Sequence, residues 1–125
     1  MPMFGATSLA ACVVAAMCTG GPATAAPDSS FVLSLTDARG ATTFVELTCG
    51  PAQGSHPQPD TACQALEQAD GDFARLPAKE QLCTMIHSPV LARASGDWHG
   101  TPVDFTAEYS NRCFADARSG GVFSF

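Results

Sequence analysis

The sequence predicts an α+β domain in which antiparallel strands outnumber helices. Five short segments are rich in β-branched and aromatic residues, and the clearest of them alternates apolar with polar side chains. Only two segments suit helices, and the connections between strands favour antiparallel pairing. Once an N-terminal leader is set aside, four cysteines remain: Cys49, Cys63, Cys83 and Cys113. An even count in an exported chain implies two disulfides.

The leader comes first. Residues 1–26 contain no Asp, Glu, Lys or Arg. An apolar run from Leu9 to Met17 is followed by Gly20-Gly21-Pro22 and then by the small residues Ala23 and Ala25. That order fits a secretory signal cleaved after Ala25. The run is too short to span a bilayer, which takes about 20 residues. "LAAC", Leu9 to Cys12, resembles a lipobox with Cys12 as the anchor, but the segment before it is short and has no basic residue. The expected division is a signal peptide at 1–25 and one domain at 26–125, secreted and extracellular. That domain carries every charge, 12 acidic and 6 basic residues for a net −6. Phosphate binding needs clustered Lys and Arg, so nucleic acid and anionic membranes are not expected as partners. Net charge of this sign is read as keeping a secreted protein soluble.

Phe31 to Thr36 reads as a strand and Asp37 to Gly40 as a turn. Thr43 to Cys49 is a second strand, with Val45, Leu47 and Cys49 on one face, and the two form a hairpin. Gly50 to Pro59 is a loop rich in Pro and Gly. Asp60 is placed to cap a helix from Thr61 to about Ala69, whose Ala62, Leu66 and Ala69 share a face. "DGDF", Asp70 to Phe73, interrupts it. Val90 to Ser95 is a third strand, Gly96-Asp97 a turn, and Trp98 the start of a long fourth strand. There Val103, Phe105, Ala107 and Tyr109 alternate with Asp104, Thr106 and Glu108. Pro102 suits a sheet edge. Asn111 to Arg118 reads as a short helix and Val122 to Phe125 as a final strand.

"LCTMIHSPV", Leu82 to Val90, fits this scheme poorly. As a buried strand it would point Met85 and Ile86 to opposite faces and bury Thr84, His87 and Ser88 as polar neighbours needing partners. As an exposed, extended loop it would be stiffened by Cys83 at one end and Pro89 at the other, with Ser88 biased toward extended geometry by the proline. Pattern alone leaves both readings open. Proteases bind substrate backbones extended, so the second reading suits a protease cleft. Spacing likewise leaves all three pairings of the four cysteines open. Adjacent pairing would close loops of about 15 and about 31 residues, for which chain entropy gives about 3 and about 4 kcal/mol.

From Phe31 to Phe125 the chain resembles the bacterial subtilisin-inhibitor family of secreted serine protease inhibitors. The resemblance lies in "LTCGP" (Leu47–Pro51), "GSHP" (Gly54–Pro57), "CTMIHSPV" (Cys83–Val90), "GDWHG" (Gly96–Gly100), "YSNRC" (Tyr109–Cys113) and "GVFSF" (Gly121–Phe125), in that order, with the spacing of all four cysteines. It implies disulfides Cys49–Cys63 and Cys83–Cys113, and a two-layer sandwich of a five-stranded antiparallel sheet with two helices on one face. It also implies a homodimer. The reactive bond would be Met85–Ile86, with Met85 the primary-specificity residue. Leu82, Cys83 and Thr84 would fill the preceding subsites and His87 the second position on the leaving side. Asn111, two residues before Cys113, would brace the loop from beneath. One departure is Thr84, where the best-known members have proline.

The function implied is a substrate-like inhibitor, not an enzyme, with no cofactor and no metal. The partner is a subtilisin-like serine protease, and the apolar pocket of a chymotrypsin-like one also suits methionine. Three other readings are distinguishable. Cys83, Met85 and His87 alternate and form a soft donor trio for Cu(I) only if Cys83 is a free thiolate. Ser88, His87 and His99 with an acidic residue would suggest a hydrolase, but no nucleophile motif such as G-x-S-x-G accompanies them. Solvated roles suit His56 in its proline-rich loop and His99 beside a turn. A secreted, disulfide-stabilised structural or binding domain is the bland alternative, and it predicts no protease inhibition.

Overall fold

The computed structural model describes residue 3 and residues 26–125. Apart from Met3, the expected signal at 1–25 and its cleavage site lie outside the described residues. The elements run β1 (Ser29–Thr36), β2 (Thr42–Cys49), α1 (Pro59–Gln68), a 3-10 turn (Phe73–Arg75), β3 (Val90–Trp98), β4 (Thr101–Tyr109) and α2 (Arg112–Arg118).

The strands form one antiparallel sheet in the order β2-β1-β3-β4. Strand alternation then sorts the side chains. Phe31, Leu33 and Leu35 of β1, Val45 and Leu47 of β2, and Val90, Ala92, Ala94 and Trp98 of β3 are buried on one face. They join Ala62 and Leu66 of α1 and Ala115 of α2 in a single cluster, so the two helices cover that face. Trp98 stacks on Phe31 with ring centroids 6.4 Å apart. Among the described residues nothing covers the other face, which exposes Val32, Phe44 and Leu91. Val103, Phe105, Ala107 and Tyr109 are half-buried, while Asp104, Thr106 and Glu108 face solvent, as the alternation predicts. Pro102 lies on β4, an edge strand with no ladder partner on its outer side among the described residues.

Three expectations are corrected. The sheet among the described residues has four strands, not five, because Val122 and Phe123 lie in a turn and Ser124 and Phe125 have no regular structure. Gly120 and Gly121 both have positive φ, 65° and 91°, and bend the chain out of extended geometry. Val122 and Phe123 are still fully buried. Their backbone is satisfied without a ladder: Phe123 N–H donates to Ser119 Oγ (2.9 Å) and Val122 O accepts from His56 Nε2 (2.8 Å). Apolar burial there does not require a strand. Secondly, Gly96-Asp97 is not a turn. Gly96 sits inside β3 opposite Phe31 and Val103, and a side chain there would strike the Ser30 carbonyl of the neighbouring strand. The turn lies at His99-Gly100, both with positive φ. Finally, α1 starts at Pro59 with Gln58 as N-cap and no side-chain cap. Asp60 lies in its first turn, where its carboxylate meets the positive end of the helix dipole.

Both disulfides are present, Cys49–Cys63 and Cys83–Cys113, with Cα atoms 5.7 and 5.6 Å apart. The first ties the end of β2 to α1. The second ties the segment before β3 to the first turn of α2 and positions the site.

Candidate functional site

Residues 76–89 have no regular secondary structure, and their middle stands away from the domain. Met85 is 87% exposed, Ile86 66% and Leu82 fully so, while Thr84, His87 and Ser88 are also exposed. This decides the question that pattern left open: the segment is a presented loop and not a buried strand. Apolar side chains exposed in both the folded and the unfolded chain carry no cost of folding. Leu82 to Val90 contains no Asp, Glu, Lys or Arg, so the exposed stretch is electrostatically bland.

Exposure alone would leave the loop mobile. Asn111 is hydrogen-bonded to it from beneath. It is buried, in extended geometry, and caps α2 by accepting the Phe114 N–H at its Oδ1 (3.0 Å). The cap fixes the amide plane and aims Nδ2 at the loop. Nδ2 donates to Thr84 O (3.0 Å) and to Ile86 O (2.8 Å), the carbonyls before and after Met85. One side chain thus grips both sides of the Met85–Ile86 peptide bond. Further braces flank it. The Cys83–Cys113 bridge anchors the entry, and Ser88 N–H donates to Ser110 O (2.8 Å) at the exit. Upstream, Lys79 N–H donates to Ala117 O (2.7 Å), and the Lys79 ammonium pairs with Asp116. Beneath the leaving side, an open concavity of about 490 Å³ runs from Thr84, Ile86 and Ser88 to Asp37 and Arg39 of the β1–β2 turn. A larger concavity, about 540 Å³, lies beside Trp98 and Phe73 and has no part in the loop.

Every expected site residue therefore lies in one place. Leu82, Cys83, Thr84, Met85, Ile86 and His87 are on the loop, with Asn111 and Cys113 under it. Sequence reasoning missed Ser110 and Ala117, whose contribution is a backbone carbonyl that leaves no side-chain signal. The copper reading loses its thiolate donor, because Cys83 is bridged. Among the described residues no cluster of His, Cys, Asp and Glu is arranged to hold a metal. His56 is not solvated but buried. Its Nδ1 accepts the Gln58 N–H (3.0 Å) and its Nε2 donates to Val122 O, so the ring is neutral, and burial lowers its pKa.

The family model described as subtilisin inhibitor-like matches residues 27–111. A subtilase-type protease inhibitor of Streptomyces fradiae is 43% identical over 65% of this chain and 59% of its own length. Subtilisin inhibitor-like protein 2 of Streptomyces rochei is 40% identical over 65% of this chain and 74% of its own. The chain spans about three fifths of the length of the S. fradiae relative and of a Streptomyces avermitilis relative. Among solved structures, Streptomyces caespitosus sermetstatin in complex with Bacillus licheniformis subtilisin is similar with a TM-score of 0.59. It is 31% identical, and the match covers 78% of this chain and 98% of that one.

Proposed function

The chain belongs to the subtilisin inhibitor-like family, whose members are protease inhibitors and not enzymes, and from that premise we propose that residues 26–125 form a secreted inhibitor of subtilisin-like serine proteases with Met85–Ile86 as the reactive bond. The observation that carries this reading is the Asn111 amide bonded to carbonyls on both sides of an exposed peptide bond. A protease serine attacking the Met85 carbonyl would form an acyl-enzyme and free the Ile86 amine. In an ordinary substrate that amine diffuses away. Here Ile86 stays on Asn111 and is followed by the Ser88–Ser110 bond, while Met85 stays tied through Thr84 to the same amide and through Cys83 to α2. The amine remains beside the acyl group, and religation competes with hydrolysis.

Tightness follows from the same braces. The loop loses little conformational freedom on docking, and preorganisation rather than area decides affinity in protease–inhibitor pairs. Burying Met85 in an apolar specificity pocket contributes about 1.5–3 kcal/mol. Chymotrypsin-like enzymes with such a pocket are a second target class.

The test is titration of subtilisin with purified protein, then sequencing of any clipped bond. Stoichiometric inhibition with slow cleavage between Met85 and Ile86 is expected. Cleavage elsewhere, or rapid turnover, overturns the assignment, and no inhibition at all leaves a structural or binding domain. N-terminal sequencing of the exported protein tests release after Ala25. A homodimer belongs to the same proposal: stacking two open sheet faces would remove Val32, Phe44 and Leu91 from water. Sedimentation equilibrium tests it, and a monomer overturns the dimer alone.

A further inference from the structure

We propose that Met85 is a reversible oxidation site through which hydrogen peroxide switches the inhibitor off; this rests on the reading that Met85 enters the protease pocket. The chain has four methionines, and three of them, Met1, Met3 and Met17, fall within residues 1–25. Met85 is the only thioether in residues 26–125, and it is 87% exposed. Nothing else in that span competes for a two-electron oxidant. All four cysteines are bridged and offer no thiolate, and Trp98 is buried. Leu82, Thr84 and Ile86 beside it on the loop are inert to peroxide.

The step balances. The Met85 sulfur attacks one peroxide oxygen, the O–O bond breaks as the S–O bond forms, and one water leaves. Sulfur is oxidised by two electrons to the sulfoxide, and the peroxide is reduced by two. A dithiol reverses the step by removing the oxygen as water and becoming a disulfide, as methionine sulfoxide reductases do. No brace is touched, because Asn111 holds backbone carbonyls and both bridges are already oxidised. The loop keeps its shape and only its chemistry changes. A flexible apolar side chain becomes a strong hydrogen-bond acceptor, and a pocket that welcomes methionine has no donor for it. The cost of burying that group unpaired corresponds to roughly 10- to 100-fold weaker inhibition.

The experiment treats the protein with hydrogen peroxide and follows two readouts: the mass of the Met85 peptide and the titration of subtilisin. The expected result is sulfoxide at Met85, inhibition lost in proportion, an unchanged melting temperature, and recovery after methionine sulfoxide reductase with dithiothreitol. Whatever inhibition a Met85→Leu variant shows before peroxide should survive the same treatment. Full sulfoxide with inhibition intact overturns the proposal, and so does equal loss in the Met85→Leu variant. If the untreated protein leaves subtilisin active, the reactive-bond reading falls and this one with it. If only the treated protein behaves contrary to expectation, this one falls alone.

Discussion

In the proposed inhibitor Met85 is the residue that selects the protease and Asn111 the one that keeps the loop intact, so substitutions at the two should separate. Methionine brings length and no charge, and it cannot pair with the carboxylate at the base of a trypsin-like pocket. Met85→Lys is expected to gain trypsin inhibition by roughly 10- to 100-fold, the value of a charge-assisted hydrogen bond. Trypsin titration checks it, provided the parent inhibits subtilisin. At position 111, Asn111→Asp keeps the acceptor that caps α2 but replaces the donor with an oxygen facing two carbonyls. Two hydrogen bonds to the loop are lost, about 1 kcal/mol each. The expected outcome is a modest fall in melting temperature and a marked rise in hydrolysis of Met85–Ile86, read by mass spectrometry. Unchanged cleavage would deny the brace its role. Asn111→Ala should melt lower, because it also removes a cap of about 1 kcal/mol.

The loop, β3 and α2 act as one unit. The loop leads directly into β3, and α2 supplies Asn111 as its N-cap and Cys113 from its first turn. The Cys83–Cys113 bridge spans a sequence separation of 30, so it restricts the unfolded chain as well as the loop. Replacing both cysteines with serine is expected to cost about 4 kcal/mol of stability. The variant should also pass from slowly cleaved inhibitor to ordinary substrate, because the acyl side of the cut bond loses its anchor. Denaturant unfolding gives the first quantity and the rate of cleavage the second. The equivalent change at Cys49 and Cys63 should lower stability and leave cleavage slow, since that bridge lies on β2 and α1.

For the whole molecule, the buried His56 makes stability depend on pH. Its ring joins the proline-rich loop to the chain end through Gln58 N–H and Val122 O, and Phe125 packs edge-on against it. Desolvation by burial lowers its pKa below 6.5, against the weaker opposing pull of the Val122 and Gly121 carbonyls. The unfolded chain then takes up a proton at a pH where the folded chain does not. Stability is full above pH 6.5 and falls as the pH drops through the folded value, where it levels off. Thermal melts between pH 8 and 5 should show this decline, and His56→Gln should flatten it while melting lower at neutral pH. The alternation of β1 to β4, the apolar face of α1 and the bland stretch between Cys83 and Pro89 are local properties, and the sequence by itself determined them. The cysteine pairing and the role of Asn111 were implied only by family resemblance. The positive-φ turn at Gly120-Gly121 removed an expected strand, and the tight approach at Gly96 lengthened another, because both depend on what the neighbouring chain does. Only the tertiary structure decided that Met85–Ile86 faces solvent and is gripped from both sides. A nine-residue pattern fits a buried strand as well as a presented loop, and the groups that choose between them lie more than twenty residues further along the chain.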